Sequence, residues 1–312
     1  MRYFVAGGAG FIGSHLVDRL VNTGGVAVYD NLSSGKREFI QHHLNRDSFR
    51  FIQGDILDRD RLAKAMKGSD IVFHMAANPQ VRAGTDDTEL DLKQGTIATY
   101  NVLEAMRLHG IKRVVFASSS TVYGEVAGLP ISEDYGPLQP ISLYGASKLA
   151  CEGLITAFCH LFDMQAWIFR FANVVGSRAT HGVIFDFINK LKRNPEELEI
   201  LGDGTQQKPY IHVQDCVGGI LYGFQHSDAQ VNVFNLGNSD VTSVTTIAHM
   251  LIEGMELINV RLKYTGGERG WPGDVPQVRL DTSRMEKLGW KPKYNSDEAV
   301  RLAIKEILGK TD

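Results

Sequence analysis

The stretch FVAGGAGFIGSHLVDRL, residues 4–20, sets Gly7, Gly10 and Gly13 between an apolar run of strand length and a segment of helix length. Glycines in that setting permit a tight turn, admit a ligand close to the backbone and let the helix pack close on the strand, with the helix N-terminus directed at bound phosphates. A glycine triplet alone is a weak signal, because glycine is common in turns. The surrounding context is present as well: a strand before, a helix after, and an acid, Asp30, at the end of the second strand. The loop therefore predicts a dinucleotide-binding βαβ unit at the start of the chain.

Apolar runs of strand length recur at residues 2–7, 26–31, 49–55, 70–77, 112–120 and 165–173, separated by segments of helix length. Strands apolar on both faces are covered on both faces, which predicts parallel strands between two helical layers. The expected fold class is α/β, a doubly wound parallel sheet of Rossmann type, over residues 1–173. After Asn173 the rhythm changes. Residues 182–195 read as a helix stopped by Pro195, 198–216 as a hairpin-like pair and 298–310 as a closing amphipathic helix. Residues 174–312 are expected to form mainly a smaller α/β substrate-binding domain. The run VNVFNLGN, 231–238, has the apolar character of a central strand and predicts that the chain rejoins the first sheet over about 231–250.

A formal charge of -3 leaves no basic field to attract nucleic acid or anionic lipid, so function is sought in a local site. Cys151, Cys159 and Cys216 form no C-x-x-C pair, which predicts reduced thiols rather than a zinc site or a disulfide framework, and no metal is expected. The N-terminal RYFVAGG lacks the features of a signal peptide, and no later apolar run is long enough to span a bilayer. A cytoplasmic protein without a membrane partner is expected.

Asp30 is suited to accept hydrogen bonds from the adenosine ribose hydroxyls and to repel a 2′-phosphate, favouring NAD over NADP even with Lys36 and Arg37 nearby. Asp55 ends the third strand, within reach of an adenine amino group, while Ala76 and Ala77 leave room for a flat ring or a pyrophosphate after the fourth. His74, just before them, reads as a satisfied core histidine. The candidate cofactor set is Gly7, Gly10, Phe11, Ile12 and Gly13, then Asp30, Asn31, Ser34 and Gly35, then Asp55, Ile56, Ala76 and Ala77, with Tyr144 and Lys148.

Tyr144 and Lys148 come from PISLYGASKLACEGL, residues 140–154. Pro137 and Pro140 end the preceding segment and Ser142 can cap a helix, which puts Tyr144 in its first turn with Lys148 above it on the same face. A tyrosine of ordinary pKa near 10 is a poor base at neutral pH; bringing it near 7 takes about 4 kcal/mol of preferential phenolate stabilisation. A neighbouring ammonium and the positive nicotinamide ring can jointly supply this. Ser119, at the end of the fifth strand, completes the candidate catalytic set by holding a substrate alcohol beside the phenolate. Ser118 and Ser120 read as local turn formers.

Together GGAGFIG, YDN, GDI, HMAA, SSSTVYG, YGASK and FRFANVVG resemble the extended short-chain dehydrogenase/reductase family, and within it the nucleotide-sugar 4-epimerases of the UDP-galactose 4-epimerase type. The likeness continues through GDGTQQKPYIHVQD, FNLGN, GWPGDV and LGWKP. It implies catalysis by Ser119, Tyr144 and Lys148 and contact of Asn173 and of the segment at Val183 with the substrate diphosphate. It also implies a 4-keto intermediate formed and reduced with retained NAD. The 4,6-dehydratases of the family carry an Asp-Glu pair where this chain has Ser120 and Thr121, so elimination lacks its proton carriers. Sugar-acid decarboxylases keep a glutamate at the second position, which Thr121 also lacks.

Three positions depart from the family pattern. Lys208 replaces a phosphate-binding arginine, keeping the charge without the bidentate fork. Trp271 takes the arginine place before Asp274, with Arg269 two residues earlier as a substitute, and Gly95 replaces an asparagine near the reacting centre. Val278 falls where a bulkier residue in some epimerases excludes N-acetylated sugars. The family also implies a homodimer through the apolar helices near 93–108 and 143–162. Three readings stand open: a UDP-hexose 4-epimerase, including one for N-acetylated hexoses; another nucleotide-sugar enzyme with net chemistry; and an NAD-sensing binding protein without catalysis.

Overall fold

The computed structural model describes residues 1–310. The first half alternates strands and helices: β1 (Arg2–Ala6), α1 (Phe11–Leu20), β2 (Gly25–Asp30), β3 (Phe49–Gln53), α2 (Arg59–Met66), β4 (Ile71–His74), α3 (Ala98–Leu108), β5 (Arg113–Ser119), α4 (Leu143–Phe162) and β6 (Gln165–Phe171). A π-helical turn, Leu92–Ile97, leads into α3. There follow β7 (Asn173–Val175), α5 (Val183–Arg193), β8 (Glu197–Ile200), β9 (Gln207–Lys208), β10 (Tyr210–His212), α6 (Val213–His226), β11 (Val231–Leu236), β12 (Thr242–Ser243), α7 (Val244–Gly254), β13 (Arg261–Tyr264), α8 (Ser283–Leu288) and α9 (Ser296–Ile307).

Seven strands form one parallel sheet in the order β11-β6-β5-β4-β1-β2-β3. The two-residue period of a strand sends alternate side chains to opposite layers. Tyr3 and Val5 of β1 join the core under α1 and α6, whereas Phe4 and Ala6 join the core under α2, α3 and α4. Burying each large aliphatic side chain of these cores contributes roughly 1.5–3 kcal/mol. The chain leaves β1 in both directions, to β2 on one side and β4 on the other, and the crevice at that reversal is where doubly wound sheets hold ligands. A third core gathers α5, α7 and α9 against β8 and β10. Among the described residues no helix is long and apolar enough to cross a membrane.

The run at 231–238 does return to the main sheet, as β11 beside β6. The hairpin expected over 198–216 does not form. β8 pairs in parallel with β13, β9 antiparallel with β12 and β10 in parallel with β7, each partner lying far away in sequence. These strands are only four, two and three residues long, and Gly202 and Gly204, both at φ +82°, lead the chain from one pairing to the next instead of reversing it.

Helix α4 is fixed to the sheet by a buried ion pair. Arg170 on β6 donates through Nη2 to Glu152 Oε2 at 2.7 Å, and the two side chains are 7% and 8% exposed. Ser118 on β5 donates to Glu152 Oε1 at 2.5 Å, a supporting contact rather than the local turn expected of it. Arg170 Nη1 also reaches the Tyr123 hydroxyl at 3.0 Å. Removing one member leaves a buried charge without its counterion. Arg170→Met is therefore expected to lower unfolding free energy by about 3–5 kcal/mol, read from denaturant midpoints. Glu152→Met added to it should recover part of the loss; an unchanged midpoint in the single variant would refute this account.

Candidate active site

The glycine loop turns at Gly7, φ +78°, where an added Cβ would meet the Ala76 amide nitrogen at 2.6 Å. A Cβ on Gly13 would lie 2.1 Å from the Gly7 carbonyl oxygen, so only glycine lets α1 sit this close to the loop. Helix α1 starts with Gly10 as N-cap, no side chain caps it, and no acid occupies its first turn. Its first amides stay open, the condition for binding an anion. Asp30 ends β2 with Oδ2 accepting from the Ala9 amide at 3.0 Å and Oδ1 from the Leu32 amide at 2.8 Å. Burial raises its pKa and these two bonds oppose the rise. The carboxylate that the sequence assigns to a ribose thus fixes the glycine loop. Asp55 accepts from the Leu57 amide at 2.9 Å and from Asn31 Nδ2 at 3.0 Å.

These residues line one cleft of about 760 Å³ between the strand ends and the smaller lobe. Of the candidate cofactor residues, Gly7, Gly10, Phe11, Ile12, Gly13, Asp30, Asn31, Ser34, Asp55, Ile56, Ala76 and Ala77 share its wall with Ser119, Tyr144 and Lys148. The uncapped helix N-terminus and the glycine backbone on the cleft wall both fit a dinucleotide pyrophosphate. Gly35 is not on the wall. It packs behind the loop, where a Cβ would come within 3.0 Å of Asp30 Oδ1. Lys36 pairs with Glu38 at 3.4 Å and Arg37 lies over the Phe51 ring, so neither is held toward Asp30.

Ser142 caps α4 by accepting from the Gly145 amide at 3.0 Å, which places Tyr144 in the first turn. Lys148 Nζ donates to the Ala117 carbonyl at 2.6 Å and sits 5.6 Å from the centre of the Tyr144 ring. Burial lowers its pKa to about 8, against the pull of Cys151, Glu152 and Asp91. Burial raises the Tyr144 pKa, Asp91 raises it further, and a hydrogen bond with Ser119 acts the other way. The protein by itself therefore holds the phenol protonated. Ser119 Oγ accepts from the Thr121 amide at 3.2 Å and from Thr121 Oγ1 at 3.0 Å, so its own proton is free for Tyr144 or a substrate oxygen. The sequence reading used Thr121 only to exclude elimination and missed this role. His74 bonds Thr99 Oγ1 at 3.0 Å, and burial lowers its pKa to about 3, leaving a neutral core histidine.

The substrate candidates divide. Asn173, Val183, Lys208 and Asp274 line the cleft, and Val183 opens α5 behind Gly182, which leaves that helix N-terminus uncapped as well. Lys208 is ion-paired with Asp274, so its charge is shared inside the site rather than free. Arg269 does not line the cleft: it pairs with Glu125 and donates to the Asp274 carbonyl at 3.0 Å, a buttress behind the segment. Val278 is also off the wall, its amide bonded to the Gln207 carbonyl at 3.2 Å and its side chain packed on the main core. Gly95 faces Ser147, where a Cβ would lie 2.0 Å from Oγ, so a larger residue here requires the Ser147 hydroxyl to turn away from its bonds with Asp91 and Thr96. Wall residues that the sequence did not single out include Asn78, Gln80 and Arg82, just past the end of β4, together with His181.

Outside the cleft, Asp18, His42 and His43 bring three ligating atoms together. Both histidine Nε2 atoms bond Asp18 Oδ1, at 2.9 and 2.7 Å, and Arg178 lies 2.9 Å from Oδ2, so the carboxylate is already engaged.

The sequence profile of the NAD dependent epimerase/dehydratase family matches residues 3–237, and the chain belongs to that family of enzymes, with NAD as its cofactor. A solved UDP-galactose 4-epimerase is 42% identical, with a TM-score of 0.89 over 99% of both chains. A UDP-glucose 4-epimerase of Mycolicibacterium smegmatis is 34% identical over 332 residues, covering 100% of each chain. A solved UDP-N-acetylglucosamine 4-epimerase from Methanobrevibacter ruminantium is 30% identical, with a TM-score of 0.87 over 99% of both chains.

Lys148 carries a stability signature. Its folded pKa, about 8, lies below the ordinary 10.5, so between these values the unfolded chain binds more protons and stability rises with pH. The buried ammonium destabilises the cofactor-free protein at neutral pH by on the order of 3 kcal/mol, at about 1.4 kcal/mol per pH unit. Lys148→Met should stabilise the cofactor-free protein at pH 7 and flatten the rise above pH 8, measured by thermal unfolding across pH. Parallel curves for the two proteins would contradict the buried charge.

Proposed function

We propose that this enzyme is a UDP-hexose 4-epimerase that interconverts UDP-galactose and UDP-glucose through a 4-keto sugar, with NAD retained between turnovers. The observation that carries the reading is the convergence of Ser119, Tyr144 and Lys148 on the wall that also holds the glycine loop and Asp30. Bound NAD supplies the hydride acceptor and a positive ring. Tyr144 Oη takes the proton of the sugar 4-hydroxyl, Ser119 holds that oxygen, and Lys148 supplies a positive charge near the phenolate. The proton then returns from Tyr144 to the oxygen once the hydride has been restored to the opposite face of the sugar. No acidic pair stands at Ser120 and Thr121 to drive elimination, so the chemistry ends at the alcohol.

Protein purified without added cofactor is expected to convert UDP-galactose to UDP-glucose, resolved by chromatography. In heavy water no deuterium should enter at C4, because the same hydride returns. Tyr144→Phe should lower kcat by about 10²–10⁴. Conversion of UDP-GalNAc at a comparable rate would favour an epimerase of N-acetylated hexoses, a reading supported by the relative from Methanobrevibacter ruminantium. NAD-loaded protein that turns over neither sugar would sink the epimerase reading for these substrates and favour a binding role.

The reading includes a homodimer. Ile97 at the end of the π-helical turn, Tyr100 and Leu108 on α3 and Leu161 on α4 leave an exposed apolar face that a second copy would cover. Sedimentation should give twice the chain mass, and Leu161→Glu combined with Tyr100→Glu should give monomer; a wild-type monomer would refute it.

A further inference from the structure

Trp271 is a large aromatic residue on the cleft wall that has no part in the steps described above. It is half-buried, and its backbone is held in a closed turn. The Trp271 carbonyl accepts from the Asp274 amide at 3.0 Å, and Asp274 Oδ2 accepts from the Gly270 amide at 3.1 Å. The indole lies over Gly273. A Cβ there would come within 2.5 Å of Trp271 Cη2 and 3.3 Å of the Ile141 carbonyl oxygen, so a side chain at 273 would displace the ring. The same point joins the turn to the helix that carries the candidate base: Ile141 directly precedes Ser142, the cap of α4, and Tyr144 stands in its first turn. Trp271 therefore meets the cleft beside the start of α4.

The other two tryptophans of the chain serve packing. Trp167 is 3% exposed and bonds Ser227, and Trp290 covers Gly219 beside the main core; neither lines the cleft. Trp271 instead keeps part of its surface open in a ligand-sized cleft, and apolar surface left open in a groove marks contact with a ligand.

We propose that Trp271 is a specificity-determining residue that stacks its indole on the hexose of the nucleotide sugar. The inference rests on the reading that this hexose presents its 4-hydroxyl to Tyr144, which brings the sugar to the start of α4. A pyranose offers C–H bonds of slight positive charge on its faces, and the face of an indole is negative, so the two attract without a directed hydrogen bond. The arginine that the family pattern has at this place offers a directed fork of donors to an anion. The indole demands no such direction, so it keeps contact while the 4-keto sugar presents first one face and then the other to the hydride. Recognition at this position thus passes from the charge of the diphosphate to the sugar ring.

The test is fluorescence of the NAD-loaded protein titrated with UDP-galactose, UDP-glucose and UDP, read as the difference between wild type and Trp271→Phe. Among the described residues Trp271 is the one tryptophan on the cleft wall, so the difference reports its surroundings. Both UDP-hexoses should change this signal, and UDP alone should leave it nearly unchanged. In calorimetry Trp271→Ala should weaken UDP-galactose by about three- to tenfold and leave UDP at its wild-type affinity, with Trp271→Phe, which keeps a ring, in between. An equal signal or an equal loss with UDP would put the ring on the uridine or the diphosphate and overturn the assignment to the hexose. Unchanged affinities in Trp271→Ala would make the residue merely structural and overturn it as well; should that variant fail to fold, the wild-type and Trp271→Phe signals decide. Turnover is scored separately. Wild type that shows the Trp271 signal with UDP-galactose yet forms no UDP-glucose ends the epimerase reading and keeps the stacking, whereas turnover without the signal ends the stacking alone. Binding of neither hexose overturns both.

Discussion

The Glu152–Arg170 pair holds the candidate site in place. Tyr144, Lys148 and Glu152 are four residues apart in succession, so they form one stripe of α4 directed at the sheet. Glu152 is tied at once to Arg170 on β6 and Ser118 on β5, and those two residues are themselves register partners across adjacent strands. Ser119 is the next residue along β5. One buried carboxylate therefore sets the separation between the helix bearing the phenol and ammonium and the strand bearing the hydroxyl. Small helix shifts that would be tolerated elsewhere would here misalign a proton transfer.

That arrangement is held at a local expense in stability. Among the described residues, buried Lys148 donates to a single carbonyl and Asp91 keeps an oxygen without a partner. Both are groups whose charge disfavours burial. The large apolar cores on the two faces of the sheet offset the strain, so instability is concentrated at the strand ends where a ligand binds. Sites that perform proton transfer commonly show this pattern, because the shifted pKa values that make them reactive arise from the same desolvation.

Legibility of the sequence follows the range of the interactions involved. The glycine loop, Asp30, the Ser142 cap and the spacing of Tyr144 and Lys148 are local signals; the structure brings the loop glycines, Asp30, Tyr144 and Lys148 to one cleft, with Ser142 capping the helix that carries the last two. The six early strands were visible because burial on both faces writes a continuous apolar run. The strands β8, β9 and β10 are too short to show what they pair with, and their partners lie far along the chain, so they read as a hairpin that does not exist. Arg269 and Val278 were placed by matching a loop, and a loop fixes neither the direction of a side chain nor its partner. The role of Thr121 was hidden for a related reason: it acts through the oxygen of another residue, and a hydroxyl in a turn gives no sign of what it will touch.

Two of the three departures from the family pattern, at Lys208 and at Trp271, meet around Asp274. Trp271 stands where an arginine was expected, Lys208 is held by Asp274, and Arg269 supports that same Asp274 from behind while paired to Glu125. The Gly270 amide donates to the second oxygen of Asp274 at 3.1 Å, so this carboxylate organises the whole segment. A lysine paired to an acid presents less field than a free arginine fork. The open amides at the start of α5, next to Val183, face the same cleft, with Asp186 in the first turn of that helix. Backbone donors are fixed in direction and do not titrate, so this wall offers an anion fixed amides beside a lysine that Asp274 already engages.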